Sequence, residues 1–389
     1  MKNASFFVYC YIGLCALLDH IKKFVYNFCY VKKKLMTLVH YSEVSLMKKK
    51  TILISAFLLL AQLLSGCQSP QNGQPLTKSG FYFDTVISVT IYDKSKESLL
   101  EDCFELADRY EQYFSNTVED SDISKINASE GAHVEVHEET AELLSKGISY
   151  GELTDGRFDI TVGKLSDLWN FSTKALIEDT DASMIPSEEE IDSARSTVDY
   201  HCIQLEGTTV TLTNPDARID LGGIAKGYIA DRMKDFLNEN GVTSGFINLG
   251  GNVLTLGAKE NGSPYRLGIQ RPFSETGTSI AVVSVTDETV VSSGVYERCF
   301  TVDDTLYHHI LDVSTGYPYD NGLLGVTVIT KYSADGDALS TSCFSLGLTD
   351  GMALIESLDG TEAVFITDDY ELHTSSGIGT AIPFEEILQ

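Results

Sequence analysis

Basic residues are scarce in this chain. Its 389 residues hold 28 Lys and Arg against 56 Asp and Glu. A surface so acidic repels phosphate backbones and anionic headgroups, which excludes nucleic acid as a partner. Paired cysteines are missing too: Cys103, Cys202, Cys299 and Cys343 stand singly, with no C-x-x-C. That excludes the common zinc frameworks and reads as small, buried, apolar side chains. Neither a Walker loop nor a G-x-G-x-x-G fingerprint occurs, so two familiar nucleotide cradles are absent. No internal repeat is visible.

What is there begins with a leader. Lys48, Lys49 and Lys50 precede an apolar run over residues 52–64 whose only strongly polar side chain is Gln62. Leu64-Ser65-Gly66-Cys67 closes it. The run is too short and too abruptly ended for a stable spanning helix, and it has the layout of an export signal. Leu-Ser-Gly-Cys resembles the bacterial lipobox, in which the Cys is lipidated and becomes the mature N-terminus. An uncleaved anchor with an incidental Cys67 is the alternative. Residues 1–46 add a second apolar stretch and further basic clusters. They read as an upstream extension of a chain whose translation starts at Met47, with a membrane-embedded N-terminus as the alternative. The expected organisation is an extension at 1–46, a lipoprotein signal peptide at 47–66, a flexible polar tether at 67–79 and one large domain at 80–389. Beyond residue 66 there remain 19 basic and 54 acidic residues.

Within that domain the patterns are mixed. Alternation over 81–92 predicts one half-buried strand, and helical spacing predicts helices over 98–114, 139–153 and 224–240. Residues 202–205 and 210–212 flank Glu206-Gly207 as a hairpin. Short strands are expected at 246–249, 280–285, 289–292, 323–330 and 363–367, and helices at 338–348 and 352–358. The acidic, poorly patterned stretch 174–195 reads as a surface insertion. Interleaved elements with several hairpins favour an α+β class: a single large domain of two closely joined lobes, with mixed or antiparallel sheets and flanking helices.

Four Gly- and Asp-rich segments carry the chemistry. Asp220-Leu221-Gly222-Gly223-Ile224-Ala225-Lys226-Gly227 runs into a helix. Bare glycines there let backbone N–H groups approach phosphate oxygens, and Lys226 adds charge; an ordinary strand-to-helix turn is the plainer reading. Ile247-Asn248-Leu249-Gly250-Gly251-Asn252 is a second close-approach loop or tight turn. In Ala334-Asp335-Gly336-Asp337-Ala338-Leu339-Ser340-Thr341, Asp337 and Thr341 fall one turn apart. A carboxylate and a hydroxyl are hard oxygen ligands suited to Mg²⁺, unless Asp335 or Asp337 merely caps the helix. His308-His309 near Ser314-Thr315-Gly316-Tyr317-Pro318 offers a general base or a structural pair.

Taken together and in order, these segments resemble the ApbE family of FAD:protein FMN transferases. The resemblance also includes Phe114-Ser115 through Ser121-Asp122-Ile123-Ser124-Lys125-Ile126-Asn127, Thr154-Asp155-Gly156-Arg157-Phe158-Asp159-Ile160-Thr161-Val162-Gly163, and Ser292-Ser293-Gly294-Val295-Tyr296-Glu297-Arg298. It implies a T-fold-related architecture and a Mg²⁺-dependent reaction in which FAD gives FMN to a Thr or Ser hydroxyl, releasing AMP. It further implies that Asp337 and Thr341 ligate Mg²⁺, with backbone carbonyls near Gly223 and Ala334. By the same resemblance His309 acts on the target hydroxyl, with Asp337 as the other catalytic group. Arg157, Phe158, Asp159, Asp220 and Lys226 would contact FAD, with Phe83 and Thr117 near the ring system. The chain departs from the family where Phe83-Asp84-Thr85 replaces Met-Gly-Thr, Asp312-Val313 replaces Asp-Pro, and Thr117 replaces an aromatic. Family members are commonly lipoproteins, so the implied acceptor is an extracytoplasmic flavoprotein of a membrane redox system. An FAD pyrophosphatase and a non-catalytic flavin-binding lipoprotein are the competing functions.

Overall fold

The computed structural model describes residues 75–177 and 179–387. The leader, Cys67 and most of the tether lie outside them. In chain order the strands are β1 (Leu76–Tyr82), β2 (Thr85–Ile91), β3 (Val134–Glu135), β4 (Ile203–Glu206), β5 (Thr209–Leu212), β6 (Gly245–Leu249), β7 (Asn252–Leu256), β8 (Tyr265–Gln270), β9 (Ser279–Val285), β10 (Thr289–Gly294), β11 (Cys299–Val302), β12 (Thr305–His308), β13 (Leu323–Thr330), β14 (Glu362–Thr367), β15 (Leu372–Thr374) and β16 (Phe384–Glu386). The helices are α1 (Leu99–Phe114), α2 (Asp122–Asn127), α3 (Glu138–Leu153), α4 (Gly163–Trp169), α5 (Phe171–Lys174), α6 (Glu188–Arg195), α7 (Ala225–Glu239) and α8 (Ser333–Glu356). The class is α+β, as the hairpin-rich pattern predicts.

One eight-stranded sheet, ordered β1-β2-β6-β7-β10-β13-β14-β15, organises the unit. Its neighbouring strands pair antiparallel throughout. Successive side chains of a strand point to opposite faces, so a strand covered on both sides needs apolar residues at every position. β13 and β14 show this. Val326, Val328, Ala363 and Phe365 pack with Leu339, Cys343 and Phe344 of α8, whereas Ile329, Val364 and Ile366 join Tyr265, Ile269 and Val283 of the small β16-β9-β8 sheet. Toward the other end, α1, α3 and α7 bury the largest core against β2, β6 and β7.

Two expectations are corrected. Residues 81–92 are not one strand: β1 and β2 form a hairpin that turns at Phe83 and Asp84, both at positive φ (51° and 56°). Neither is glycine or Asn, so the usual turn signal is missing. The stretch 174–195 is not merely a surface insertion either. Ser187 and Glu190 form a capping box that starts α6, and Met184, Ile191 and Ala194 are buried with Trp169, Phe171, Phe300 and Leu311 in a satellite core. That core anchors the loop after His309: Trp169 Nε1–H donates to the Gly316 carbonyl and Arg195 to the Ser314 carbonyl, both at 2.8 Å. Among the described residues the four cysteines are free, three of them buried and Cys299 half-buried.

Candidate active site at the junction of α7 and α8

The loop entering α7 is shaped by Asp220. Its N–H donates to the Ile160 carbonyl and its Oδ1 accepts from the Gly222 N–H, each at 2.8 Å. The loop then turns so that Lys226 Nζ donates back to the Gly222 carbonyl at 2.8 Å. Gly223 lies between two site candidates. A Cβ there would sit 3.1 Å from the Phe158 ring and 3.9 Å from the Thr341 hydroxyl. Gly227 serves packing: a Cβ would stand 2.1 Å from the Ser333 carbonyl oxygen, so only glycine lets the two helices approach this closely. Its N–H goes to Asp337 Oδ2 at 3.0 Å.

Asp337 is 5% exposed and pairs with Lys226 at 3.3 Å. One turn later Thr341 Oγ1 lies 3.1 Å from Ser293 Oγ, which also meets Ser340 Oγ at 2.8 Å. The simple capping reading fails for both aspartates at the helix start. Asp335 instead accepts from Lys146 (2.6 Å) and the Tyr150 hydroxyl (2.8 Å). The cap is Asp231 on α7, whose two oxygens take the Ser333 and Ala334 N–H groups at 2.7 and 2.9 Å. Asp337 and Thr341 are thereby left for other work. Asp337 and Thr341, with the Gly223 backbone beside the Thr341 hydroxyl, offer hard oxygen donors of the kind that could hold Mg²⁺. Among the described residues no cluster of three or more His, Cys, Asp or Glu offers an alternative metal site.

β11 and β12 bring the histidines to this junction. His308 is buried, holds the Tyr319 carbonyl through Nε2 (2.9 Å) and accepts the Ile310 N–H at Nδ1. It is structural. The His309 backbone N–H donates to the Arg298 carbonyl, and its ring Nδ1 is enclosed with no hydrogen-bond partner among the described residues. Enclosure and the charges of Arg298 and Lys226 drive its pKa down to about 3, which keeps the ring neutral. Glu297 belongs to the same charge cluster. Desolvation raises the pKa of its carboxyl above the usual range although the residue as a whole is exposed, Lys226 and Arg298 lower it, and Asp337 raises it. In the sequence Glu297 stands within Ser292-Ser293-Gly294-Val295-Tyr296-Glu297-Arg298 with no role of its own. Nothing in its spacing distinguishes it from a surface acid.

The remaining candidates divide. Phe158 is buried edge-on to Tyr150, against Gly223. Arg157 reaches toward the Ser345 carbonyl (3.4 Å). Asp159 spends both carboxylate oxygens on the protein: Oδ1 accepts from Thr161 N–H and hydroxyl, and Oδ2 from the Tyr200 N–H. Its side chain shapes the loop. Phe83 N–H donates to the Glu111 carboxylate at 2.7 Å, and Thr85 packs under Gly250, so the hairpin tip meets the Gly250-Gly251 turn. Thr117 is exposed, its hydroxyl 3.0 Å from that of Ser115. No described contact joins Phe83 or Thr117 to the Asp337 cluster.

With this geometry in hand, comparison with known proteins gives one answer. The ApbE family profile matches residues 83–365. An FAD:protein FMN transferase of Klebsiella pneumoniae is 34% identical over 283 residues, spanning 72% of this chain and 85% of the relative. One from Treponema pallidum is 30% identical over 335 residues, 81% of this chain and 91% of the relative. Among solved structures, the ApbE protein of Thermotoga maritima superposes with a TM-score of 0.71 at 32% identity, covering 78% of this chain and 97% of its own. The flavin transferase ApbE of Vibrio cholerae gives 0.68 at 26% identity, covering 78% and 98%. The chain belongs to the ApbE family.

Proposed function

We propose that this flavin transferase uses Mg²⁺ to move FMN from FAD onto a Thr or Ser hydroxyl of an extracytoplasmic acceptor protein. The single observation that carries the metal requirement is the helix pair Asp337 and Thr341, with Gly223 beside the Thr341 hydroxyl and Lys226 on the Asp337 carboxylate. When bound, the ion would polarise the FMN-side phosphorus and neutralise charge on the leaving group.

The chain's own residues would do the rest. Lys226 supplies a cation to a pyrophosphate oxygen. Gly223 leaves backbone open to the ligand, with Phe158 closing one side. With the anionic diphosphate of FAD offsetting the charges of Lys226 and Arg298, the His309 ring would offer a lone pair to the attacking hydroxyl and accept its proton. The hydroxyl oxygen bonds to the FMN phosphorus, the phosphoanhydride bond breaks, and AMP leaves with that electron pair. We further propose that Cys67 carries the lipid that anchors the enzyme to the membrane, where a redox flavoprotein would be the acceptor. Incubating the protein with FAD, Mg²⁺ and a candidate acceptor tests the reading. Protein-bound flavin is expected; free FMN would make it a pyrophosphatase, and unchanged FAD a carrier.

A further inference from the structure

The proposed metal ligands are divided between two segments. Gly223 belongs to the loop entering α7, whereas Ala334, Asp337 and Thr341 belong to α8. Their mutual geometry therefore depends on how the N-terminal ends of α7 and α8 are held together. Gly227 allows the backbones to touch, and its N–H reaches Asp337. One turn further along α7, Asp231 takes the first two N–H groups of α8. The same first turn is tied to two strands, because the Ser333 hydroxyl donates to Asn252 Oδ1 at 2.6 Å and lies 3.1 Å from the Thr289 hydroxyl.

We propose that Asp231 is a positioning residue for the metal site. By capping the start of α8 from α7, it sets the Ala334 carbonyl and Asp337 against Gly223. The first N–H groups of any helix lack intrahelical partners, and a carboxylate taking two of them is a strong, charge-assisted cap. Ordinarily that cap comes from the helix's own N-cap residue. Here the N-cap is Tyr332, which makes no side-chain cap bond. Because the cap comes from the neighbouring helix, it is also the tie between the two halves of the ligand set. Asp231 is only 8% exposed, and among the described residues its hydrogen bonds reach a proposed ligand only through the Ala334 N–H. Its effect on the ion is therefore indirect.

This inference rests on the Mg²⁺ reading above, and the test separates the two. Mn²⁺ alone, titrated into the full chain and followed by electron paramagnetic resonance, measures metal affinity without turnover. Thermal melts run alongside. Asp231→Ala should weaken Mn²⁺ binding by roughly 10–100-fold in the folded fraction, the range seen when groups behind metal ligands are lost. Asp231→Asn keeps the shape and one acceptor oxygen, so it should fold and fall between Ala and wild type. A purely structural cap would lower the melting temperature and leave Mn²⁺ affinity unchanged; that result in a folded Asp231→Asn or Asp231→Ala protein overturns the proposal. If wild type binds no Mn²⁺, or Asp337→Ala binds it as tightly as wild type, the metal reading itself falls and takes this inference with it.

Discussion

The ammonium of Lys226 lies 3.3 Å from the carboxylate of Asp337, joining residues 111 positions apart at the meeting point of two helices. Asp337 is nearly buried, and a buried carboxylate needs a counter-charge or hydrogen-bond donors. Lys226 supplies the charge and the Gly227 N–H a donor. Removing either partner of the ion pair should therefore act on the chemistry and on stability in different proportions.

Asp337→Ala removes the only carboxylate in the ligand set. Flavin transfer should drop to near background at every Mg²⁺ concentration, because the charge that polarises phosphorus goes with the ion. Thr341→Ala loses a neutral ligand that water can replace. It should be milder and partly rescued by excess Mg²⁺. Transfer per folded molecule across a Mg²⁺ titration checks the ordering, and normal turnover in folded Asp337→Ala would sink the mechanism.

Lys226→Met should cost about 1.5–3 kcal/mol of stability, the range for a lost hydrogen bond to a charged group. The variant's melting temperature should then respond more strongly to added Mg²⁺ than that of wild type, since the ion would supply the missing counter-charge. Melts with and without Mg²⁺ decide this. Equal Mg²⁺ shifts in both proteins would contradict it.

His309→Ala should bind FAD about normally and lose transfer on the order of 10²–10⁴-fold. Its titration gives a second readout. The folded pKa, driven down to about 3, lies below the ordinary value of 6.5. The unfolded chain therefore binds the extra proton first as pH falls. The stability tied to the neutral ring is fully present above pH 6.5 and lost progressively as pH falls toward 3. His309→Asn should flatten the melting-temperature decline below pH 6.5 relative to wild type. Parallel pH–melt curves would show that the ring is not held neutral.

Gly227→Ala adds a methyl 2.1 Å from the Ser333 carbonyl oxygen. The helices must part, which costs at least the roughly 1–3 kcal/mol of an overpacked site. Denaturant unfolding should show that loss, and an unchanged midpoint would mean that the junction yields freely.

Cys67→Ala should leave an unlipidated precursor and move the protein out of the membrane fraction. Migration and fractionation like wild type would refute the lipobox reading of Leu64-Ser65-Gly66-Cys67.

Much of this architecture is legible one segment at a time. Period 3.6 places α1 and α7 to within a residue or so, and the run Leu323–Thr330 is a strand from end to end. Those signals are local, because an amphipathic helix or a doubly covered strand writes its environment into its own residues. The β1–β2 turn at Phe83 and Asp84, the strand Asn252–Leu256 and the satellite core around Trp169 carry no such local mark. Neighbours far along the chain determine them.

The site divides the same way. Motif wording and order by themselves determined which family this chain belongs to and which segments are proposed to hold the chemistry, since Asp337 and Thr341 need only one helical turn to share a face. Only the tertiary structure decided what each polar group does. It gave the helix cap to Asp231 rather than Asp335 or Asp337, and it spent Asp159 on a loop and Gly227 on helix packing. It also set His309 among cations. The reason is physical: a hydrogen bond, an ion pair or a pKa depends on distances between atoms whose positions in the chain are far apart, and local periodicity carries no information about those distances.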